Sequence, residues 1–313
     1  MRRYVVQRLV VAIPTMLGVV IVAFGLLYVM PGDPVLLLVS SFQIESSKEQ
    51  LDAIRDRFGL NDPVPVQFVR YLGNVLQGDL GESILKGRPV SQLILEALPH
   101  TLQLAALALV VAILIGVAVG VLSAAWRGTW LDRASIVASL LGVSMPDFWM
   151  AILVVVVFAV KLQWFPAFGV GGMAFLILPA AVLGIRASAA VARLTRSSML
   201  EVLNKQYVTT ARAKGISERA VIGGHALRNA LIPVVTLLGL ELGRLIGGAV
   251  VVETVFARQG IGTLLIGSIL DKDLPVLRGT VLVVATGYIV LNLLVDLSYG
   301  WFDPRIRVGS QAA

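Results

Sequence analysis

The stretch Ala97–Trp126 reads ALPHTLQLAALALVVAILIGVAVGVLSAAW and holds no charged residue over 30 positions. An α-helix rises about 1.5 Å per residue, so about 20 apolar residues cross the roughly 30 Å hydrocarbon core of a bilayer. The stretch is therefore long enough to span a membrane as a single helix. It is also longer than the apolar helices usually buried in soluble cores, which run to about 10–14 residues.

The composition of the whole chain agrees with a membrane protein. Of its 313 residues, 57% are hydrophobic and 14% are charged, against about 45–50% and about 25% in soluble domains. Too few charges remain to cover a soluble surface, which argues against a soluble enzyme and against disorder. The chain has no cysteine and two histidines, so it has no disulfide and no thiolate site, and a multi-histidine metal site is disfavoured.

Five further apolar runs predict, with the first, an all-α integral membrane protein of six transmembrane helices. They are Leu9–Gly32, Ala134–Val160, Ala174–Ala192, Leu231–Phe256 and Gly279–Phe302. Lysine and arginine concentrate on one side of this arrangement, which the positive-inside rule makes cytoplasmic, together with both termini. The segment 31–96 holds nine acids against six bases and is expected outside. The net charge of +7 is thus explained by topology rather than by nucleic acid.

The outer segment is expected to be ordered. Ser46 and Glu49 have the spacing of a capping box, and Gly59 suits the end of the helix that they begin. A second amphipathic helix is predicted from about Pro65, with Val69, Leu72 and Leu76 on one face. Three alternatives remain open for this segment: a position on the membrane surface, a lid packed over the spans, and a packed cap without a ligand role.

The inner segment, about 193–230, is too polar for the membrane and too short for a domain. Lys205–Lys214 predicts a short helix, with Gly215 as the left-handed residue after it and Ile216 as the apolar residue of a Schellman ending. Ser217 is expected to cap the next helix. The segment is either a docking element for a cytoplasmic partner or an ordinary basic loop against anionic lipid.

Charges inside the predicted spans are candidates for a translocation pathway or for pairing within the bundle, because a bare charge is costly there. Glu241 and Arg244 stand one helical turn apart and are expected to pair, either as a structural ion pair or in contact with substrate. Asp147 is expected to cap a helix broken at Pro146, and Arg186 to snorkel. The other candidate in this set is Glu253. Two glycine patterns, Gly239/Gly243/Gly247 and Gly116/Gly120, suit close helix packing.

The sequence from Tyr207 to Arg219, YVTTARAKGISER, resembles the EAA loop of permeases in binding-protein-dependent ABC importers. That loop has Glu-Ala-Ala, three residues and then glycine; here Thr209 and Thr210 replace the first two residues, and Gly215 is the glycine. The chain departs from the pattern at those two threonines, as the peptide and nickel branch of the family does.

Further motifs extend the resemblance over nearly the whole chain, in the order expected for the first permease subunit of the dipeptide/oligopeptide/nickel family. They are Pro31–Pro34, Phe58–Asn61 with Pro63, Gly78–Ser83, Met145–Trp149, Trp164–Pro166, His225–Pro233 and Gly247–Phe256 running into Gly260–Gly262.

The resemblance implies a type I importer permease fold in the cytoplasmic membrane of a prokaryote. The implied parts are a first helix with an ordered extracytoplasmic segment (1–96), a five-helix core (97–304) containing the coupling loop, and a cytoplasmic tail (305–313). The implied coupling residues are Thr209, Thr210, Ala211, Arg212, Lys214, Gly215 and Ile216. The expected function is half of a pathway for di- and oligopeptides; glutathione, nickel chelates and opines are alternatives.

The implied partners are a homologous second permease, two cytoplasmic ATPases that carry ATP and Mg²⁺, an extracytoplasmic binding protein and membrane lipid. No cofactor, metal or catalytic residue is expected in this chain. The sequence has no Gly-Lys pair and hence no P-loop, so energy must come from another chain or from an ion gradient.

The sequence has features of two other functions. A membrane enzyme would use the Ser-x-x-Lys spacing of Ser83 and Lys86, or Ser144 after Gly142. A gradient-driven carrier would be expected to show internal repeats, and none is evident between the two halves of the chain.

Overall fold

The computed structural model describes residues 2–29 and 61–302. The described part is helical apart from turns and one isolated bridge between Glu82 and Pro89. The helices are α1 (Arg2–Val29), α2 (Val64–Leu76), α3 (Val90–Ala125), α4 (Trp130–Ser144), α5 (Asp147–Val154), α6 (Ala174–Leu203), α7 (Gln206–Ala213), α8 (Leu227–Val255), α9 (Ile261–Leu270) and α10 (Leu274–Phe302). The predicted helix from Ser46 to Gly59, the Pro31–Pro34 motif and the tail 305–313 lie outside the described residues.

Five helical segments are long and apolar enough to cross a bilayer. They are Arg8–Tyr28, Val90–Ala125, Ala174–Leu203, Glu218–Val255 and Leu274–Val295. The remaining predicted span, Ala134–Val160, corresponds to α4 followed by the helical stretch Asp147–Lys161. The two helices are bent by 107° at the break between them. Pro146 causes the break, because its ring disfavours helical backbone at the preceding Met145, which is extended at φ −79° and ψ 130°. Beyond α5 the helix continues as a π-helical stretch, Val155–Lys161.

The chain divides into two compact units. One comprises residues 101–259 and the end of α10 from Leu294; the other comprises α1, residues 61–100 and residues 260–293.

The core of the first unit is built from small and branched apolar residues where α3, α5, α6 and α8 meet. It includes Leu104, Ala108, Ala112, Ala151, Val182, Leu183, Leu245, Ala249 and Val252. Two glycines of α3 let α6 approach closely. A β-carbon at Gly116 would lie 2.6 Å from the Cβ of Val191, and one at Gly120 would lie 2.5 Å from the Cβ of Thr195. Their role is therefore packing.

The second unit is organised around an aromatic cluster and a buried carboxylate. Phe24 of α1 packs against Phe68 and Tyr71 of α2, at ring-centroid distances of 5.3 and 5.8 Å. The predicted amphipathic helix is present as α2, and two residues of its apolar face are uncovered: Val69 is 67% exposed and Leu76 is 79% exposed.

The buried carboxylate of this unit is that of Asp273, which accepts hydrogen bonds from the Ser83 hydroxyl and from the backbone N–H of Ile84. The backbone N–H of Lys86 donates to the Ser83 oxygen. The Ser-x-x-Lys spacing is thus a hydrogen-bonded turn, with Ser83 only 2% exposed.

We predict that Gly116→Ala lowers the thermal unfolding midpoint of the detergent-solubilised protein. The added methyl group clashes with Val191 and with the carbonyl oxygen of Ser188, and overpacking of this kind costs about 1–3 kcal/mol. Gly267→Ala is the matched control, because no atom lies within 4 Å of its β-carbon and alanine favours a helix by up to about 1 kcal/mol. A Gly116→Ala protein as stable as the control would contradict this packing.

Candidate functional site

The predicted short helix in the inner segment is present as α7 and ends in a Schellman motif. The backbone N–H of Ile216 donates to the carbonyl of Ala211 at 3.3 Å, and that of Gly215 donates to Arg212 at 2.9 Å. Gly215 has a φ of +78°, in the region that only glycine adopts without strain. The predicted ending is confirmed.

An ion pair ties the two sides of this turn together. Arg212 donates from Nη2 and Nε to the two carboxylate oxygens of Glu218, at 2.7 and 3.1 Å. Under the turn lies a small apolar cluster of Val208, Ala211 and Val221, on which Ile216 packs. The element is therefore held in one shape although most of its surface is exposed.

The helix after the turn differs from the prediction. Ser217 occupies the N-cap position, but its side chain makes no capping hydrogen bond. Only one α-helical turn follows, Glu218–Ala220, and a π-helical stretch, Val221–Ala226, then runs directly into α8. The second half of the inner segment is thus the beginning of a span rather than a separate short helix.

The seven predicted coupling residues fall into two groups. Ala211 is buried and Ile216 is half-buried, and both hold α7 in place. The others, Thr209, Thr210, Arg212, Lys214 and Gly215, are exposed. Among the exposed residues, Lys214 carries a charge without an acidic partner in the described part of the chain and Arg212 is paired with Glu218, so a small positive charge is available to an acidic groove on another protein or to an anionic membrane.

A buried ion pair fixes the turn between α3 and α4 to α6, which leads into α7. Arg196 donates from Nε and Nη2 to the two carboxylate oxygens of Asp132 at 2.7 and 2.9 Å. Ser123 Oγ and the backbone N–H of Gly128 also donate to this carboxylate. Both carboxylate oxygens of Asp132 therefore accept hydrogen bonds that hold three helices together. This residue was not identified from the sequence.

Two of the four predicted pathway charges, Glu241 and Arg244, line a cleft of about 330 Å³ between α4, α6 and α8. Its lining residues are Val143, Leu183, Arg186, Ala187, Ala190, Arg193, Glu241, Arg244, Leu245 and Gly248. Arg244 Nη1 donates to Glu241 Oε1 at 2.9 Å, so the predicted pair is confirmed. The acid is buried, with 7% of its side chain exposed, whereas 68% of the Arg244 side chain is exposed.

Asp147 belongs to the same cleft through its partner. Its carboxylate accepts a hydrogen bond from Arg186 Nη1 at 2.7 Å. The prediction that Asp147 caps the helix after Pro146 was wrong, because Pro146 holds the cap position and Asp147 is the first helical residue. The expectation that Arg186 only snorkels was also wrong, since it is paired across to another helix.

Glu253 does not line this cleft. It is fully buried and accepts a hydrogen bond from Thr101 Oγ1 at 2.6 Å. Arg258, which sequence reasoning missed, is 2% exposed and donates to the carbonyl of Phe175. Burial lowers the pKa of Arg258, and the negative charge of Glu253 opposes this shift. The position of Arg258 just after the Gly247–Phe256 motif was the available signal.

The chain matches known families along its length. The family model described as the binding-protein-dependent transport system inner membrane component matches residues 116–308, and the model of its N-terminal part matches residues 1–105. The chain belongs to this permease family. It is a permease component of an ABC importer of the peptide/oligopeptide type.

Individual relatives of the permease cover it almost completely. A protein from Brucella abortus (strain 2308), described as a peptide transport system permease protein, is 44% identical over 98% of this chain and 99% of its own length. The glutathione transport system permease protein GsiC of Salmonella typhimurium (strain LT2) is 41% identical with the same coverage.

A solved structure supports the fold of the permease. An inward-facing structure of the MetNI methionine ABC transporter has a TM-score of 0.58 over 68% of this chain and 97% of the matched chain. At 18% identity this likeness concerns the fold alone.

We predict that Arg244→Gln destabilises the permease by about 1–3 kcal/mol, because it leaves the buried carboxylate of Glu241 without its ionic partner. The cost stays below the 3–5 kcal/mol of a fully buried pair because Arg244 is mostly exposed. The double variant Glu241→Gln/Arg244→Gln should recover most of the loss. Thermal unfolding in detergent measures both, with the exposed Arg127→Gln as control; a double variant as unstable as the single one would contradict the pairing.

Proposed function

We propose that this permease forms half of the pathway by which an ATP-driven importer carries short peptides across the cytoplasmic membrane. The other half would be a homologous second permease, with two cytoplasmic ATPases below and an extracytoplasmic binding protein above. Family membership supports the importer, and relatives named for peptide and glutathione transport support the substrate class. Glutathione is itself a tripeptide, so short peptides as a class include the substrates named for both groups of relatives. Nickel chelates and opines are less favoured as substrates.

The observation that carries this proposal is the exposed helix α7, held rigid between two membrane-crossing helices. The Schellman turn at Gly215 and the Arg212–Glu218 ion pair fix its exit, and the buried Val208 and Ala211 fix its underside. Such an element can transmit a displacement, because a force applied to its exposed surface moves α6 and α8 rather than bending a loop. We propose that Thr209, Thr210, Arg212 and Lys214 contact an ATPase.

The orientation of the chain in the membrane that this function requires follows from the distribution of its basic residues. Arg212, Lys214 and Arg219 lie on or beside α7, and Arg127 and Arg133 lie in the turn before α4 and in its first residues. The positive-inside rule puts such segments in the cytoplasm. Segment 61–89, with α2 and the turn at Ser83, would then lie outside and face the binding protein.

The charged cleft is the proposed part of the pathway in this chain. Asp147, Glu241 and Arg244 contribute to it, and each acid is neutralised by an arginine whose side chain is much more exposed than the acid. Charged side chains at the depth of a membrane usually face water or a partner charge. Glu253 is proposed to act within the protein, as a buried acceptor that holds α3 to α8.

We predict that Gly215→Val uncouples uptake from ATP hydrolysis in the reconstituted importer. A β-branched residue is strained at a φ of +78°, so the turn after α7 would rearrange. Substrate-dependent uptake should fall at least tenfold while the ATPases stay bound and continue to hydrolyse ATP.

Gly215→Asn is the matched control, because asparagine tolerates the left-handed region and nothing lies within 4 Å of the added β-carbon. It should keep most of the uptake. Normal uptake by the Gly215→Val importer, at an equal amount of assembled complex, would show that α7 does not transmit the ATPase movement through this turn.

A further inference from the structure

The cleft between α4, α6 and α8 carries more positive than negative charge. Three arginines, Arg186, Arg193 and Arg244, line it, and the acids that pair with them among the described residues are Glu241 and Asp147. Arg186 and Arg244 each use one nitrogen for their acid. Among the described residues, none forms a hydrogen bond or ion pair with Arg193. The cleft therefore has one cationic group in excess.

Arg193 was expected to lie in the basic loop after the fourth span, but α6 continues through it to Leu203. It lies two helical turns beyond Arg186, a spacing that puts both on the same side of α6. Arg193 is exposed at the cleft and unpaired among the described residues, so its guanidinium is available to a ligand of opposite charge.

We propose that this cleft binds the carboxylate of the transported short peptide, with Arg193 and Arg244 as the residues that contact it. This inference rests on the proposed function and adds a substrate group to it. A guanidinium presents paired N–H donors that match the two oxygens of a carboxylate. The buried acids Glu241 and Asp147 hold the neighbouring arginines in place and keep the excess charge small enough for the ligand to leave again.

The remaining lining of the cleft suits the residue that bears such a carboxylate. Val143, Leu183 and Leu245 give it an apolar wall, and Ala187 and Ala190 leave room beside Arg193. Its volume of about 330 Å³ is at the small end of the range for ligand pockets, about 300–1,000 Å³. The cleft is thus sized for the end of a peptide rather than for a whole oligopeptide.

The test compares substrates that differ only in this charge. The complete importer is reconstituted in proteoliposomes with its binding protein, and ATP-dependent uptake is measured for trialanine, for glutathione and for the C-terminal amide of each. Because the binding protein is the same in all assays, a change in the acid-to-amide uptake ratio on mutating this chain reports on the permease. Arg193→Gln should lower that ratio about tenfold, the effect of losing one charge-assisted contact.

Two further variants keep the result interpretable. Arg193→Lys retains the charge and should recover part of the ratio, and Arg127→Gln, an exposed arginine outside the cleft, should leave it unchanged. If the Arg193→Gln chain itself does not fold or insert into the membrane, the double variant Glu241→Gln/Arg244→Gln removes a second guanidinium without leaving a buried acid unpaired. It should lower the ratio in the same direction.

Three outcomes overturn the proposal. An equal fall in the uptake of the acid and of the amide would mean that the arginines support transport without contacting the carboxylate. Loss of the second permease from the purified Arg193→Gln complex would mean that the cleft is a subunit interface, with an acid of that partner as its occupant. An unchanged ratio in every variant would mean that the cleft takes no carboxylate. Failure of the wild-type importer to transport any of the four compounds would instead contradict the proposed function.

Discussion

The burial of three carboxylates, each paired with an arginine, organises the first unit of this permease. Asp132, Asp147 and Glu241 expose 5%, 14% and 7% of their side chains, and each accepts a hydrogen bond from an arginine that is more exposed. Removing one partner of a buried pair leaves an uncompensated charge, so each arginine is held on the side of the helix where its acid lies. The positions of these guanidinium groups therefore follow from the three acids.

Two of these pairs connect the cleft with α7. Asp132 and Arg196 fix the α3–α4 turn to the part of α6 that leads into α7, and Asp147 and Arg186 join α5 to the middle of α6. Close packing of α3 against α6 at Gly116 and Gly120 leaves little room for these helices to slide independently. A displacement of α7 would therefore reach the cleft as a movement of whole helices.

The sequence predicts the membrane fold and the local shape of α7 well, because both depend on signals that are contiguous in the chain. Uncharged runs report directly on the bilayer, and the Schellman ending needs only Gly215 and its neighbours. The contacts of the cleft could not be predicted in this way. The partner of Asp147 is 39 residues distant on another helix. Arg193 was assigned to a loop because positive-inside reasoning cannot distinguish a loop from a helix that extends beyond the bilayer. In α2, the exposed side chains of Val69 and Leu76 show that an apolar helix face need not be covered by residues of the same chain.

The composition of the complex tests most directly whether this chain is an importer subunit driven through α7. The tagged chain is purified in mild detergent, its partners are identified and counted by mass spectrometry, and ATP hydrolysis is assayed. We predict one homologous permease and two ATPase chains per copy, with ATPase activity that the binding protein stimulates. A chain that purifies alone or as a homodimer, without ATPase activity in several detergents, would contradict that role and make α7 an ordinary basic segment at the membrane surface.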